Sequence, residues 1–400
     1  MVQKARALVA PSMGSPLEFQ DVILESPRPD EALVEIHATG VCHGDIGCIT
    51  GKTPVPFPIV LGHEGSGIVR QVGGDIKGIQ PGDAVIASFN SCGRCDPCSR
   101  EVPAYCRNFV RLNFGGSRLD QSVTMSTSNH EPLHGNFFGQ SSFCSFALVN
   151  ARCLVKIPRE SPLALYAPLG CAIQTGAGAL LNTLNMRRGA SVAVFGTGSV
   201  GMAAVMAAKI LDASIIIGID IDEGRLEIAK SLGATHTLKG SDPDIVDQVR
   251  ALCDGDGVQY AVDCTGIPAM VERMVEALGN TGKAATIGAA PPGTMASIDI
   301  FQHITRGKQY IGCNLGDSVP QQVCDVVQVF GETLTGSIRQ MVAFLIEQHS
   351  LGNLPLERIV KLYNVDDWEL ALDDMHSGKV IKPVLVWQEL DEINKSHRAF

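Results

Sequence analysis

From about residue 190 onward, short runs of apolar residues alternate with stretches of helical periodicity. Ser191–Phe195 and Ser214–Asp220 have the pattern of buried strands, and residues 199–211 between them carry apolar side chains at helical spacing. Further strand candidates are His236–Leu238, Gln259–Cys264, Ala284–Gly288 and Gln309–Cys313. Strands that are apolar throughout and alternate with helices are typical of a parallel sheet covered on both faces. The pattern therefore predicts an α/β domain with a doubly wound, six-stranded parallel sheet.

The chain on either side of this region has a different pattern. Before about residue 155, short strands such as Ala32–Ala38 and Gly67–Val72 are interrupted by Gly and Pro, which favours an antiparallel, barrel-like domain. After residue 320 the pattern predicts helices and a last strand, at Ile338–Gln348, Trp368–Met375 and Pro383–Trp387. We expect this last part to fold back onto the first domain. The predicted boundaries are 1–172 and 320–400 for the first domain and 173–319 for the inserted one.

Composition narrows the class of protein. The chain has 400 residues, enough for two domains with cores of their own. No apolar run reaches the roughly 18 to 20 residues that cross a bilayer, and Pro11 interrupts the N-terminal apolar stretch before it could act as a signal peptide. The net charge is -10 and no block of Lys or Arg is present to bind nucleic acid. We expect a cytoplasmic protein that acts on a small molecule, with no nucleic-acid or membrane partner.

Four of the 13 cysteines lie close together in the sequence. They are Cys92, Cys95, Cys98 and Cys106. In a large protein of a reducing compartment, clustered cysteines are typical of a metal site. Four thiolates in one loop rich in Gly and Pro can enclose a zinc ion completely, so this loop predicts a structural zinc site without catalytic activity.

A second set of possible ligands is dispersed along the chain. It consists of Cys42, His63 and Cys171. Two thiolates and one imidazole can hold a zinc ion with its fourth position open to water or substrate. From spacing alone, such a His and such Cys residues are more often structural.

A glycine-rich segment follows the first strand of the predicted parallel sheet. Gly196, Gly198 and Gly201 stand where a tight turn opens a helix, the arrangement that brings backbone N–H groups to a dinucleotide pyrophosphate. Asp220 ends the next strand and can accept hydrogen bonds from a ribose 2′-hydroxyl while repelling a 2′-phosphate. The pattern favours NAD over NADP, although Arg225 nearby could partly accommodate a phosphate.

Together these motifs resemble the zinc-dependent medium-chain alcohol dehydrogenase family across nearly the whole chain. The segments Phe137–Phe143 and Gly170–Ala179 most resemble its aryl- or benzyl-alcohol dehydrogenase branch. The resemblance implies a GroES-like catalytic domain, a Rossmann cofactor domain, two zinc ions per chain and NAD. It also implies a homodimer or homotetramer that transfers a hydride between a primary, aromatic or allylic alcohol/aldehyde pair and NAD(H), with zinc polarising the oxygen.

The resemblance also assigns roles to residues. Cys42, His63 and Cys171 are similar to the catalytic zinc ligands, Glu64 to the acidic residue behind that zinc, and Asp45 to the carboxylate that orients the imidazole. Cys92, Cys95, Cys98 and Cys106 are similar to the structural ligands. The implied cofactor contacts are His43, Thr175, Gly196, Gly198, Gly201, Asp220, Arg225 and Lys382. The implied substrate pocket contains Ser88, Phe89, Phe137 and Phe138.

The sequence departs from the family pattern at three places. Many members of the family carry side chains that relay a proton at the positions of Gly44 and Gly47. Glycine has no such side chain, so the proton released by the alcohol has to leave through water, His43 or the cofactor ribose. Residues 321–336 form an insertion whose apolar residues have helical spacing. We interpret it as a surface helix, with a subunit contact or a pocket lid as the alternative. Residues 388–400 have the composition of a solvated tail.

Three other functions stay open at this point. A pathway-specific carbonyl reductase of a larger aldehyde or ketone in secondary metabolism would have the same fold and site. A non-catalytic protein that binds NAD and zinc is conceivable because the relay residues are missing. An enoyl reductase of the same superfamily would typically lack the catalytic zinc ligands, so two zinc ions per chain would exclude it.

Overall fold

The computed structural model describes residues 3–320 and 340–388, which form two compact units. Of the described residues, the first unit contains those up to Cys171, those from Ile359 onward, and Val319 with its neighbour Pro320. The second unit contains Ala172–Ser318 and residues 340–358. The insertion predicted at 321–336 and all but the first residue of the predicted tail lie outside the described residues.

The strands of the first unit come from both ends of the chain. They are β1 (Gln3–Ala10), β2 (Glu18–Leu24), β3 (Glu31–Gly40), β4 (Ile59–Val60), β5 (Gly65–Val72), β6 (Ala84–Ala87), β7 (Met125–Thr127), β8 (Pro132–Leu133), β9 (Phe146–Asn150), β10 (Leu154–Ile157), β17 (Val360–Asn364) and β18 (Lys382–Val386). Its helices are α1 (His43–Ile49), α2 (Asp96–Ser99), α3 (Phe109–Phe114), α4 (Leu163–Tyr166) and α12 (Trp368–His376).

The second unit alternates strands and helices. Its strands are β11 (Ser191–Phe195), β12 (Ile215–Asp220), β13 (His236–Lys239), β14 (Val258–Asp263), β15 (Leu278–Thr286) and β16 (Gln309–Gly312). Its helices are α5 (Ala172–Gly178, continued by a π-helical turn at Ala179–Thr183), α6 (Ser199–Ile210), α7 (Glu223–Leu232), α8 (Ile245–Ala251), α9 (Pro268–Glu276), α10 (Ile300–Thr305) and α11 (Met341–Ser350).

Two sheets build the first unit. One is antiparallel with the order β4-β1-β2-β7-β8, and the other has the order β10-β6-β5-β3-β18-β17 with β9 also paired to β3. Apolar side chains such as Val34, Ile36 and Val69 are buried in the core, and they alternate along their strands with side chains that are more exposed. The predicted antiparallel, barrel-like architecture is confirmed, and β18 near the end of the chain pairs with β3 near its beginning.

The second unit contains the predicted parallel sheet, with the order β13-β12-β11-β14-β15-β16. Its central strands are apolar throughout because helices cover both faces; Phe195, Ile217 and Ile219 are fully or almost fully buried. The strand order reverses at β11, so the glycine-rich turn after β11 lies at the switch point of the sheet, where α/β proteins bind ligands.

The placement of residues 340–358 differs from the sequence-based boundary. We expected everything from residue 320 onward to join the first unit, but 340–358 belong to the second. The reason lies in α11, whose apolar residues Met341, Val342, Phe344 and Leu345 are buried and which packs against α5. Only the part from Ile359 onward returns to the first unit, through β17, α12 and β18.

No single helix in the described ranges is long and apolar enough to cross a bilayer. Two consecutive short helices reach the length and apolar composition of a membrane span only when they are counted together, and they are bent relative to each other; they are Leu163–Gly170 and Ala172–Thr183. Most of their residues are buried.

Candidate metal and dinucleotide sites

The first dispersed ligand candidate, Cys42, stands directly before α1. Its backbone is extended, and its N–H group donates to the Asp45 carboxylate at 3.0 Å, which fixes the start of the helix. Asp45 is completely buried. Its other oxygen accepts from the Gly62 N–H at 3.0 Å and lies 3.0 Å from Nδ1 of His63. One carboxylate therefore joins the segments that carry the first two ligand candidates.

His63 lies between β4 and β5, after a turn that requires glycine. Gly62 has a φ of +85°, and a side chain there would collide with the backbone nitrogen of Phe143. The carbonyl group of His63 accepts a hydrogen bond from the Gln140 side-chain amide at 3.0 Å. The backbone is thus held by Gln140 while Asp45 binds Nδ1, so Nε2 is the ring nitrogen that can serve as a metal ligand.

Cys171 follows a short 3₁₀ helix, Ala167–Gly170, and is the last residue of the first unit. Its N–H group donates to the Pro168 carbonyl at 3.3 Å. The preceding Gly170 carbonyl accepts from the buried Ser88 hydroxyl at 2.6 Å. These two hydrogen bonds fix the backbone on which the third ligand candidate stands.

The three dispersed candidates and Glu64 form one group. The sulfur atoms of Cys42 and Cys171, a ring nitrogen of His63 and a carboxylate oxygen of Glu64 all lie within 4.8 Å of one another. Tetrahedral zinc bonds of about 2.3 Å place sulfur ligands ~3.8 Å apart, so these donors match zinc in type and spacing.

The donor side chains of this group shift one another's pKa values. The hydrogen bond with Cys171 lowers the pKa of Cys42 well below its usual range, against the effect of burial. The same bond and burial raise the pKa of Cys171. Burial alone would lower the pKa of His63, but Asp45 and Cys42 raise it well above its usual value. A zinc ion bound by these donors would displace the imidazole and thiol protons, so its affinity should rise with pH.

Lys382 lies in β18, where it is 1% exposed. Its ammonium donates to Glu64 at 3.0 Å and to the carbonyl oxygen of Val41 at 3.0 Å. Burial raises the pKa of Glu64 to about 7, although the Lys382 charge opposes that shift. Lys382, which the family resemblance assigned to the cofactor, is thus the counter-ion of Glu64 in the first unit.

The four-cysteine loop forms the second donor group. The sulfur of Cys95 lies 3.5 Å from that of Cys98 and 3.8 Å from that of Cys106, close to the tetrahedral spacing. Backbone N–H groups point at the sulfur atoms, for example that of Arg107 at Cys95. Burial opposes ionisation of Cys92, but hydrogen bonds from the Arg94 and Cys95 backbone outweigh it and lower the pKa to about 6. All four donors lie within 4.8 Å of one another, as a closed zinc site requires.

The glycine-rich segment makes the tight turn between β11 and α6. Gly196 has a φ of +90°, and a side chain at Gly201 would collide with the Gly196 carbonyl, so the turn and helix approach too closely for any other residue. Gly198 is the N-cap of α6. Asp220 at the end of β12 is 7% exposed and accepts hydrogen bonds from the N–H of Thr197 at 2.7 Å and from its hydroxyl at 3.1 Å.

The other predicted cofactor contacts lie near the ends of helices. His43 is the exposed first residue of α1, and Thr175 is 7% exposed in α5. Arg225 lies in the first turn of α7, where its backbone N–H donates to the N-cap Asp222 at 2.9 Å. Thr175, Arg225 and the glycine-rich turn belong to the second unit, whereas His43 belongs to the first.

Phenylalanine side chains surround the imidazole of His63. The Phe138 ring stacks on it at a centroid distance of 4.6 Å and an interplanar angle of 26°, and the Phe137 ring meets it edge-on at 5.5 Å. Phe138 has a φ of 51° and a ψ of 29°, a strained conformation for so large a side chain. Phe137, Phe89 and Ser88 are 0%, 1% and 0% exposed, and Phe138 is 8% exposed. Of these four predicted pocket residues, Phe138 thus retains the most accessible surface.

Sequence reasoning missed Gln140. This amide is completely buried, donates to the carbonyl groups of His63 and Ser88 at 3.0 and 2.9 Å, and accepts from the N–H of Gly65 at 3.0 Å. The available signal was a lone amide beside the phenylalanine pair, since a buried Gln needs several hydrogen-bond partners.

Comparisons with known proteins agree with this geometry. Residues 28–159 match the alcohol dehydrogenase GroES-like domain, and residues 199–331 match the zinc-binding dehydrogenase domain. A geraniol dehydrogenase of Castellaniella defragrans is 35% identical over 385 residues, which are 96% of this chain and 98% of the relative.

Two solved structures have the same architecture. One is an alcohol dehydrogenase zinc-binding domain protein from Burkholderia ambifaria, with a TM-score of 0.90, 40% identity, and coverage of 97% of this chain and 100% of that one. The other is a benzyl alcohol dehydrogenase from Acinetobacter calcoaceticus, with a TM-score of 0.87, 37% identity, and coverage of 96% and 99%.

The chain belongs to the zinc-dependent medium-chain alcohol dehydrogenase family. It is therefore a zinc-dependent oxidoreductase that acts on alcohols, and zinc and a nicotinamide dinucleotide are the cofactors typical of its family. The fold predicted from the sequence, a GroES-like domain with a Rossmann domain, is confirmed.

Proposed function

We propose that the protein interconverts a primary aromatic or allylic alcohol and its aldehyde, with NAD(H) as the hydride carrier. The observation that supports this most directly is the donor group of Cys42, His63 and Cys171 beside the stacked ring of Phe138. The named activities of two relatives, a geraniol dehydrogenase and a benzyl alcohol dehydrogenase, agree with such substrates.

In this proposal Cys42, His63 and Cys171 hold the catalytic zinc, and Cys92, Cys95, Cys98 and Cys106 hold the structural one. When bound, the catalytic zinc polarises the alcohol oxygen and the nicotinamide accepts the hydride. Asp45 holds the imidazole of His63 in the orientation that presents Nε2. Glu64 and Lys382 form a buried ion pair beside the donors.

We propose NAD rather than NADP because of Asp220. One oxygen of its carboxylate accepts from the N–H and the hydroxyl of Thr197, and the other accepts from the Asp222 N–H. This second oxygen can accept a further hydrogen bond from a ribose hydroxyl. A 2′-phosphate would instead meet a negative charge in a largely buried position. The backbone N–H groups after Gly198 at the start of α6 would bind the pyrophosphate, with His43, Thr175 and Arg225 as further contacts.

The aromatic surface supports the proposed substrate class. Rings that stack with an offset contribute about 0.5–1.5 kcal/mol per pair beyond their burial, so the partly accessible Phe138 would favour a flat or unsaturated substrate. Phe137, Phe89 and Ser88 would support this surface from behind. The catalytic proton would leave through water or His43, because Gly44 supplies no hydroxyl beside the imidazole.

The direct test is the growth of NADH absorbance with benzyl alcohol, cinnamyl alcohol or geraniol, with NAD and NADP in parallel. We expect turnover with NAD that a zinc chelator abolishes, and a large loss of preference for NAD in Asp220→Ala. A protein that holds two zinc ions but oxidises none of these alcohols would contradict the proposed substrate class. Equal use of NADP by the unaltered protein would contradict the role of Asp220.

The subunit contact is a separate part of this proposal. The edge strand β16 follows α10, whose Ile300, Phe301 and Ile304 are 73%, 72% and 71% exposed in the described structure. Apolar side chains grouped in this way are typical of a surface that another chain covers. We propose that a second copy of this chain covers it, and that Phe301→Glu shifts the mass measured by light scattering toward the monomer. An unchanged mass would contradict it.

A further inference from the structure

A cleft opens at the end of the parallel sheet opposite the glycine-rich turn. Its volume is about 380 Å³, and it lies among the residues just before β11, the first part of β14 and the neighbouring parts of β15 and β16. Strands of five residues separate the two ends of the sheet by roughly 15 Å. All lining residues belong to the second unit, and none belongs to a metal-donor group or to the glycine-rich turn.

Three side chains of the cleft form a row across the sheet. Tyr260 in β14 is in register with Lys283 in β15, which is in register with Gln309 in β16. Residues in register on adjacent parallel strands point to the same face, and the strands are about 4.8 Å apart. The row thus presents a phenol, an ammonium and an amide, all of which can donate hydrogen bonds to one ligand.

The charge of the cleft is positive in a protein with a net charge of -10. Its lining includes Arg187, Arg188 and Lys283 but no Asp or Glu. Arg188 pairs with Asp212 at 3.1 Å on the surface, whereas Arg187 and Lys283 have no ion-pair partner among the described residues. The nearby Asp256 is already engaged by the N–H of Asn280 and by Arg306. The electrostatics of the cleft therefore selects for an anion.

The Tyr260 hydroxyl is the second sign of a ligand. The residue is 7% exposed and lines the cleft, yet its hydroxyl has no hydrogen-bond partner within the described residues. The hydroxyl is thus available to donate a hydrogen bond to a molecule in the cleft. A hydroxyl donor in register with a lysine that has no ion-pair partner among the described residues can bind the same oxyanion as that lysine.

We propose that this cleft binds a small, multiply charged anion, either a phosphorylated or a dicarboxylate metabolite. Arg187 would bind two oxygens through its planar guanidinium, Lys283 would act as a point charge, and Tyr260 and Gln309 would donate to further oxygens. The volume is at the lower end of the range of small-molecule sites, which suits a compact ligand. None of the residues in this proposed anion site is a proposed zinc ligand, substrate contact or dinucleotide contact.

The test is a titration of the full-length, zinc-loaded protein with inorganic phosphate and, separately, with succinate. Excess NADH fills the dinucleotide site, sodium chloride keeps the ionic strength constant, and calorimetry and the thermal unfolding midpoint report binding. We expect saturable binding of at least one anion. Lys283→Gln should weaken it at least tenfold, and Tyr260→Phe, which keeps the ring, about threefold.

The matched control is Lys230→Gln, which removes an exposed positive charge from α7 in the same unit and should leave the anion affinity unchanged. Tighter binding of phosphate would identify a phosphorylated ligand, and tighter binding of succinate a dicarboxylate. Absence of saturable binding, or an affinity equal in the unaltered protein, Lys283→Gln and Tyr260→Phe, would overturn the proposal. Because turnover is not the readout, alcohol oxidation can fail or succeed independently.

Discussion

The two cysteine-containing donor groups are built in opposite ways. The four-cysteine group comes from one loop of 15 residues, is partly exposed, and is completed largely by its own backbone N–H groups. The group of Cys42, His63 and Cys171 is assembled from three distant segments and is held by the buried side chains of Asp45, Gln140 and Ser88. The geometry of the four-cysteine group therefore depends on one loop, whereas the geometry of the dispersed group depends on the fold of the whole unit.

The largest effect should follow from breaking the dispersed group itself. Cys171→Ala should lower turnover ~10³-fold, because a lost ligand removes several kcal/mol of charge stabilisation from the transition state. Metal analysis should show one zinc per chain instead of two. The control is Cys144→Ala, a buried cysteine outside both donor groups, which should keep two. Full turnover of Cys171→Ala with two bound zinc ions would refute the assignment of the ligands.

A smaller effect is expected from the carboxylate that joins two of the segments. Asp45→Asn should weaken zinc binding and lower kcat/KM by ~10- to 100-fold, because an amide places a donor where the Cys42 N–H, the Gly62 N–H and the imidazole converge. The rate of zinc loss to a chelator measures this directly. Asp373→Asn, on the exposed face of α12, should behave like the unaltered protein. Equal rates of zinc loss in the two variants would contradict the role of Asp45 in holding the zinc ligands.

Gln140 tests whether the dispersed group also depends on buried hydrogen bonds to the backbone. Gln140→Leu keeps the volume but leaves the carbonyl groups of His63 and Ser88 and the N–H of Gly65 without this partner. Unfolding in urea should show a loss of about 3 kcal/mol in stability, because each buried unsatisfied group costs about 1–3 kcal/mol. Gln71→Leu, at an exposed position of β5, is the control. Similar stabilities of the two variants would show that the backbone is held by other means.

The smallest effect on catalysis should come from the local group. Cys98→Ser should lower the thermal unfolding midpoint and release one zinc, because structural zinc contributes directly to folding stability. Turnover per folded molecule at low temperature should stay within about twofold of the unaltered protein. Loss of turnover at a temperature where circular dichroism shows an intact fold would mean that the two groups are coupled.

The same contrast explains what could be predicted from the sequence. The four-cysteine site and the glycine-rich turn are local, so spacing alone identified them, and the six strands of the parallel sheet follow from their continuous apolar runs. The dispersed ligands could not be grouped by spacing, since Cys42 and Cys171 are brought together only by the fold. The resemblance to a known family supplied that grouping, and the matches to two domains of this family and to a relative over 96% of the chain confirm the membership.

The details that the sequence could not supply are all set by long-range packing. Residues 340–358 join the second unit because the buried face of α11 packs against α5, which belongs to that unit. The pattern of apolar residues in a helix shows that one face is buried, but not which other element covers that face. Likewise Lys382 stands in a strand whose side chains are all buried, so its partner had to be an acid elsewhere in the core. Gln140 is a polar residue whose three partners lie far away in sequence.

The insertion of β18 beside β3 sets an order of events during synthesis. The three ligand candidates are complete once residue 171 has been made, but the ammonium that neutralises Glu64 is delivered 318 residues after it in the chain. Until then the nascent first unit carries an open edge along β3 and a buried acid without its base. A chain that stops before β18 therefore has all three ligand candidates but lacks the base that pairs with Glu64.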